Sequence, residues 1–292
     1  MATDHGYLVL DLETVPDLAR WSRPETPHGV EPPFPPTWAH RIIVVGCLWL
    51  GDDYRLRRMG VVGELEAPTA GRAGVAAVEV GTGVAPGIER STSRAWADSD
   101  PRADDDERHV LMELSRFVGR AKPVLVTYNG RAFDLPVIAL RSLCHGVALG
   151  WYYRDRGVRY RYSEDGHLDL CDWLADHGAT RAGSLDAVAR LVGLPGKVGV
   201  DGSQVEGLYR AGHLERVRSY CLADVVQTCF LFLRFRLLQG NLEPSAYRVA
   251  AEALLEALAD EPRVKDVIAA IDRKQLLDVA EPSRGRTRLP AP

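Results

Sequence analysis

Cysteine is scarce and unpatterned: Cys47, Cys144, Cys171, Cys221 and Cys229 are odd in number, scattered, and never in a C-x-x-C pair. That suggests neither a disulfide framework nor a thiolate zinc site, and leaves buried reduced thiols as the reading. Long apolar runs are lacking too. The longest, Ile42 to Leu50, falls far short of the roughly 20 residues that a membrane-spanning helix needs. No basic stretch followed by an apolar one stands near Met1, so a soluble, unexported, cytoplasmic protein with no membrane partner is expected. Positive charge is not in excess either, with a formal net charge of −4. Bulk attraction therefore cannot hold a polyanion, and any nucleic-acid contact has to be local, with bound metal offsetting phosphate charge.

What is present suits an enzyme: 292 residues at 46% apolar content are enough for a large α/β domain. Tyr7 to Leu10 reads as a buried strand that delivers Asp11-Leu12-Glu13-Thr14 at its end. A proline-rich excursion from Val15 to Ala39 leads to a strand over Arg41–Trp49, and Gly51-Asp52-Asp53 turns into a third over Tyr54–Val62. Residues 63–103, rich in Gly, Ala, Ser and Thr, form an insertion expected to carry at most one strand and to be mobile. Asp104-Asp105-Asp106 then reads as the N-terminus of a helix over Glu107–Gly119. Pro123–Thr127 is another buried strand, with a helix from about Phe133 to Leu143 behind it. Short helices follow over Gly183–Val192 and Ser203–Arg210, the second with Ser203 and Glu206 spaced as a capping box. His213–Gln239 is a long helix that is apolar around much of its girth, closed by Gly240. Single helices are expected near Ser245–Leu258 and Arg263–Val279, and a disordered tail at 281–292. The domain thus covers residues 1–242 and a helical extension 243–280, in an α/β class with a mixed sheet flanked by helices.

Carboxylates stand where these elements begin or end. Asp11 and Glu13, two apart on a strand, share a face. Asp134 opens a helix, while Tyr220 and Asp224, four apart on the long helix, lie one turn from each other. Together they supply hard oxygen ligands of the kind that suits Mg²⁺ or Mn²⁺. Asp11-Leu12-Glu13, Tyr128-Asn129-Gly130-Arg131-Ala132-Phe133-Asp134 and Tyr220-Cys221-Leu222-Ala223-Asp224 resemble the three motifs of the DEDDy exonucleases, in the form found in the proofreading domain of family B DNA polymerases. The span from about residue 5 to 240 resembles the stand-alone PolB-like 3′–5′ exonucleases, with a ribonuclease-H-like fold. Strings at His167–Leu170, Gly193–Lys197 and Asp201–Ser203 add to the likeness. The long interval from Glu13 to Asp134 departs from the pattern and is assigned to the insertion. No polymerase domain is expected in the roughly 50 residues after Gly240.

The resemblance implies a two-metal mechanism with two divalent cations, Mg²⁺ or Mn²⁺, held by Asp11, Glu13, Asp134 and Asp224, and with Tyr220 orienting the attacking water. The expected activity is release of nucleoside 5′-monophosphates from the 3′ end of single-stranded nucleic acid, DNA ahead of RNA. Candidate substrate contacts are Leu12, Thr14, Asn129, Phe133 and Lys197, with Asn129 alternatively shaping the turn before Gly130 and Lys197 alternatively lying in a solvated turn. Trp151 to Tyr162 interleaves rings and guanidinium groups; on a hairpin, Arg159 and Arg161 would share a phosphate-facing side and Tyr160 and Tyr162 the other. An ordinary hairpin with inward-packed rings explains the same string equally well. Asp169 reads as a helix cap, with a metal role as the lesser alternative. Two competing functions stand beside the exonuclease: a non-catalytic nucleic-acid-binding module, and a nucleotide phosphohydrolase with the same metal site.

Overall fold

The computed structural model describes residues 6–27, 29, 32–63, 101–199 and 201–281, with the side chains of 101–104 excepted. Most of the expected insertion and nearly all of the expected tail lie outside these residues. β1 (Tyr7–Pro16), β2 (His40–Leu50) and β3 (Leu56–Val61) form an antiparallel meander. β4 (Val124–Thr127) and β5 (His167–Asp169) add in parallel on the other side of β1, giving the order β3-β2-β1-β4-β5. This five-stranded mixed sheet, flanked by helices, is a ribonuclease-H-like α/β fold.

β1 shows why the sheet is covered on both faces. Leu8, Leu10 and Leu12 pack with α1 (Pro101–Ala121) and α2 (Asp134–His145), whereas Val9 packs on the opposite face with α8 (Leu214–Leu238). The alternation is that of a strand, and it puts Asp11 and Glu13 in the row that faces α8. α8 is buried on nearly all sides, between the sheet and α9 (Pro244–Leu258), as its all-round apolar sequence requires.

Several elements differ from expectation. α1 starts at Pro101, a residue suited to a first helical position, so Asp104–Asp106 fall inside the helix rather than before it. The segment 151–162 is not a hairpin: α3 (Gly150–Tyr153) and α4 (Arg156–Arg159) are single helical turns, the second capped by Asp155 on the Gly157 N–H. α5 (Leu170–Leu174) and α6 (Leu185–Leu191) follow β5. The capping box before α7 (Val205–Arg210) is Asp201 with Gln204, and Glu206 instead pairs with Arg23 and Arg210. The expected last helix is broken at Ile271 into α10 (Lys265–Ala270) and α11 (Arg273–Leu277). There the Asp272 N–H bonds the Gly193 carbonyl and the Asp272 side chain caps α11.

Candidate active site

The site begins with a glycine. Gly46 lies opposite Asp11 in the β1–β2 ladder, and a Cβ there would come within 2.8 Å of Cys221 Sγ and 3.1 Å of Val225 Cγ2. Its absent side chain lets α8 press onto the sheet beside Asp11. The Cys221 thiol donates to the Asp11 carbonyl at 3.5 Å and approaches Asp11 Oδ2 at 3.6 Å. Ligand atoms of Asp11, Glu13 and Cys221 lie within 4.8 Å of one another. Burial, and then the charge of Asp11, push the Cys221 thiol well above its ordinary value, so it serves as a protonated donor to Asp11. In the sequence Cys221 reads only as a buried thiol, and its place next to Tyr220 is the one signal of this role. Gly46→Ala should therefore displace α8 and cost about 1–3 kcal/mol of stability, read by denaturant titration. An unchanged midpoint would show that Cys221 simply rotates away.

Asp134 is placed by the loop from Tyr128. Asn129 adopts φ +67°, and a Cβ on Gly130 would lie 2.5 Å from the Thr127 side chain, so the chain reverses tightly after β4. Asp169 at the end of β5 clamps this loop, accepting from the Asn129 and Arg131 N–H groups at 2.8 Å each. It also caps α5 through the N–H groups of Cys171 and Asp172. Its two oxygens are thus occupied by four backbone donors, which is the capping role expected of it. Asp134 itself is 4% exposed at the start of α2. Burial drives its carboxyl up to about 7, assisted by the charge of Asp169 and resisted by the backbone N–H groups of Asp134 and Leu12.

α8 carries Tyr220 and Asp224 to the same place. Burial raises Asp224 to about 6, against lowering by the Tyr220 hydroxyl and the Lys197 charge. Tyr220 is pushed far up by burial and by the charges of Asp224, Glu13 and Asp11, so its phenol stays protonated. Asp11 is raised by burial and then by Asp134, Glu13 and Asp224; Glu13 by burial, Asp224 and Asp134. The charges of Asp134 and Asp224 thus both reach Asp11 and Glu13, which lie at the centre of the set. Lys197 reaches the edge of this cluster from a loop pinned by the Gly196 N–H to Gln227 Oε1 at 2.8 Å, while its ammonium pairs with Asp201 at 2.5 Å.

Such a donor set fits hard divalent cations: oxygens that repel one another in a buried place, with little positive charge beside them. The sign of the linkage follows. Carboxyls raised in the folded state favour the metal-free protein below the unfolded value of about 4, and that contribution is lost as pH rises through about 6 to 7. Thermal melts with chelator should thus fall across this range, and Mn²⁺ should restore stability at its upper end. A flat profile with chelator would mean that the carboxylates are compensated by some other group.

The other expected contact residues separate. Leu12 points its side chain into the core between β1 and α2, leaving only its backbone near Asp134. Thr14 Oγ1 is hydrogen-bonded to His40 Nδ1 at 2.9 Å. Phe133 packs edge-on to His40, and both rings contact Phe34, which is 76% exposed. Phe34, hidden in a segment read only as a loop, was not foreseen. Asn129 leaves its side chain exposed. Arg161 is bound to Asp172 by both its Nε and an Nη, and Arg159 lies over the rings of Tyr152 and Tyr153, so the two do not share a face as a hairpin would have it.

Comparison with known proteins agrees with this architecture. A family model described as a predicted 3′–5′ exonuclease related to the exonuclease domain of PolB matches residues 91–271, which include Asp134, Tyr220 and Asp224. The catalytic polypeptide of DNA polymerase epsilon from Schizosaccharomyces pombe is 28% identical over 137 residues, and that from Yarrowia lipolytica 27% identical over 143. Each match covers 45% of this chain but 6% of the polymerase, so the likeness is to one small portion of those polypeptides. The chain belongs to the family of predicted 3′–5′ exonucleases related to the exonuclease domain of PolB.

Proposed function

We propose that the protein is a metal-dependent 3′–5′ exonuclease that releases nucleoside 5′-monophosphates from single-stranded nucleic acid, DNA in preference to RNA. The observation that carries this reading is the cluster of Asp11, Glu13, Asp134 and Asp224, each raised by burial, whose mutual repulsion bound cations would relieve. A pair of Mg²⁺ or Mn²⁺ ions held by these four residues would supply Lewis-acid chemistry, activating water and offsetting charge on the departing 3′ oxygen. Asp11, in the middle of the cluster and steadied by Cys221, is the ligand that both ions would share. Tyr220, protonated and one turn from Asp224, orients the attacking water by hydrogen bonding and does not act as its base. The exposed Phe34 ring, backed by His40 and Phe133, offers a face on which the terminal base stacks. Lys197, whose charge reaches Asp224, would meet a phosphate once it leaves Asp201.

The test is hydrolysis of a 5′-labelled single strand in Mg²⁺, in Mn²⁺ and in chelator. Stepwise shortening from the 3′ end in metal alone supports the proposal; products of one fixed internal size, or none, overturn it. Tyr220→Phe probes the assigned role of the phenol. It keeps the ring and all four carboxylates, so metal affinity should hold while the single-turnover rate falls roughly ten- to a thousand-fold. An unchanged rate would make Tyr220 a packing residue only.

A further inference from the structure

The segment 151–162 is not absorbed by the site. α3 and α4 fold it so that Tyr153, Asp155, Arg156, Gly157, Arg159 and Tyr160 line a surface concavity of about 500 Å³. Tyr153 and Tyr160 are 59% and 60% exposed, and the Arg159 guanidinium lies 5.2 Å from the centre of the Tyr153 ring. Among the described residues, no ion pair engages Arg156 or Arg159, whereas Arg161, Arg190 and Arg236 are each held by a carboxylate. The Asp155 carboxylate is turned to the Gly157 N–H. Past Tyr153 the surface continues as an apolar trough of about 510 Å³ that includes Leu140 and Leu143, the latter 80% exposed. Two guanidinium groups outside any such ion pair, beside exposed rings, form a surface that takes phosphates and bases of a flexible strand. The segment is also tied to the catalytic loop: Arg131, three residues before Asp134, donates to the Arg159 carbonyl at 3.2 Å.

The geometry points to an accessory single-strand site on α3 and α4, in which Arg156 and Arg159 hold phosphates and Tyr153 and Tyr160 stack bases of nucleotides upstream of the 3′ end. It rests on the exonuclease reading for the direction of the strand but not for binding itself. In an acidic protein, such a site retains long strands that bulk charge would not.

Fluorescence anisotropy with 5′-labelled dT20 and dT4, in Ca²⁺ so that no turnover is needed, separates the two regions. Wild-type protein should bind dT20 more tightly than dT4. Arg156→Gln with Arg159→Gln should weaken dT20 roughly ten-fold, and the slope of log affinity against log salt should drop by about 1.4, at about 0.7 for each phosphate no longer neutralised. Tyr160→Ala should weaken dT20 alone, by at least roughly five-fold. In all of these variants dT4 affinity should stay put. Affinity for dT20 within two-fold of wild type in the arginine pair, or equal losses for both oligomers, would overturn the assignment. A wild-type protein that binds by length yet shows no hydrolysis would contradict the exonuclease reading and leave this site standing.

Discussion

Asp11→Ala is expected to lower hydrolysis by roughly a thousand-fold or more, because it removes the ligand assigned to both cations and with it several kcal/mol of transition-state stabilisation. The fold should survive. Asp11 is not part of the apolar core, and Cys221 keeps the Asp11 carbonyl as acceptor when the carboxylate goes. Loss of one charge from a set that repels should leave the metal-free melting temperature level or higher above pH 6. Circular dichroism and single-turnover assays on the same preparation measure both. Activity within ten-fold of wild type would remove Asp11 from the metal site.

The largest effect on stability is expected at Arg141, 1% exposed in α2. Its guanidinium donates to both oxygens of Glu107, at 2.8 and 2.6 Å, and to Asp17 Oδ2 at 2.7 Å. Glu107 also accepts from the Ile42 N–H of β2 and contacts His145. The cluster therefore joins the end of β1, α1, β2 and α2, and fixes the helix that Asp134 opens. Burial opposes ionisation of Asp17, but Arg20 and Arg141 hold its carboxyl below the usual range. Burial likewise opposes that of Glu107, overcome by His145 and Arg141. Arg141→Ala would leave two buried carboxylates without their main cation, at a cost of about 3–5 kcal/mol in urea unfolding. Lowered folded values mean stability that is present above about pH 4 and lost as pH falls further, so the variant should also lose less on acidification than wild type. A cost below about 1 kcal/mol would show that water reaches the cluster.

The elements that carry the carboxylates were legible because local signals agreed. Tyr7–Leu10 and Val124–Thr127 are short, β-branched or leucine-rich runs, and Asp11, Asp134 and Asp224 stand at fixed offsets within known strings. Segment 151–162 was not, since alternating rings and arginines suit a strand locally. What decides it is tertiary: Gly166 packs against Gly157, where a Cβ would lie 2.2 Å from the Gly157 carbonyl carbon. The break at Ile271 depends likewise on the bond from Asp272 to the Gly193 carbonyl, some eighty residues away in the chain. The closeness of Gly46 to Cys221 and the tilted ring contact of Phe34 with Phe133 join distant segments, and no periodicity announces them.

The proposed exonuclease activity requires Asp11, Glu13, Asp134 and Asp224 to act together as a cation site. Anomalous diffraction from crystals soaked in Mn²⁺ tests it most directly. Two manganese peaks should appear among these four carboxylates, with Asp11 touching both, and both should be lost in Asp11→Ala crystals. Manganese bound elsewhere, or carboxylates that remain unliganded at millimolar metal, would contradict it.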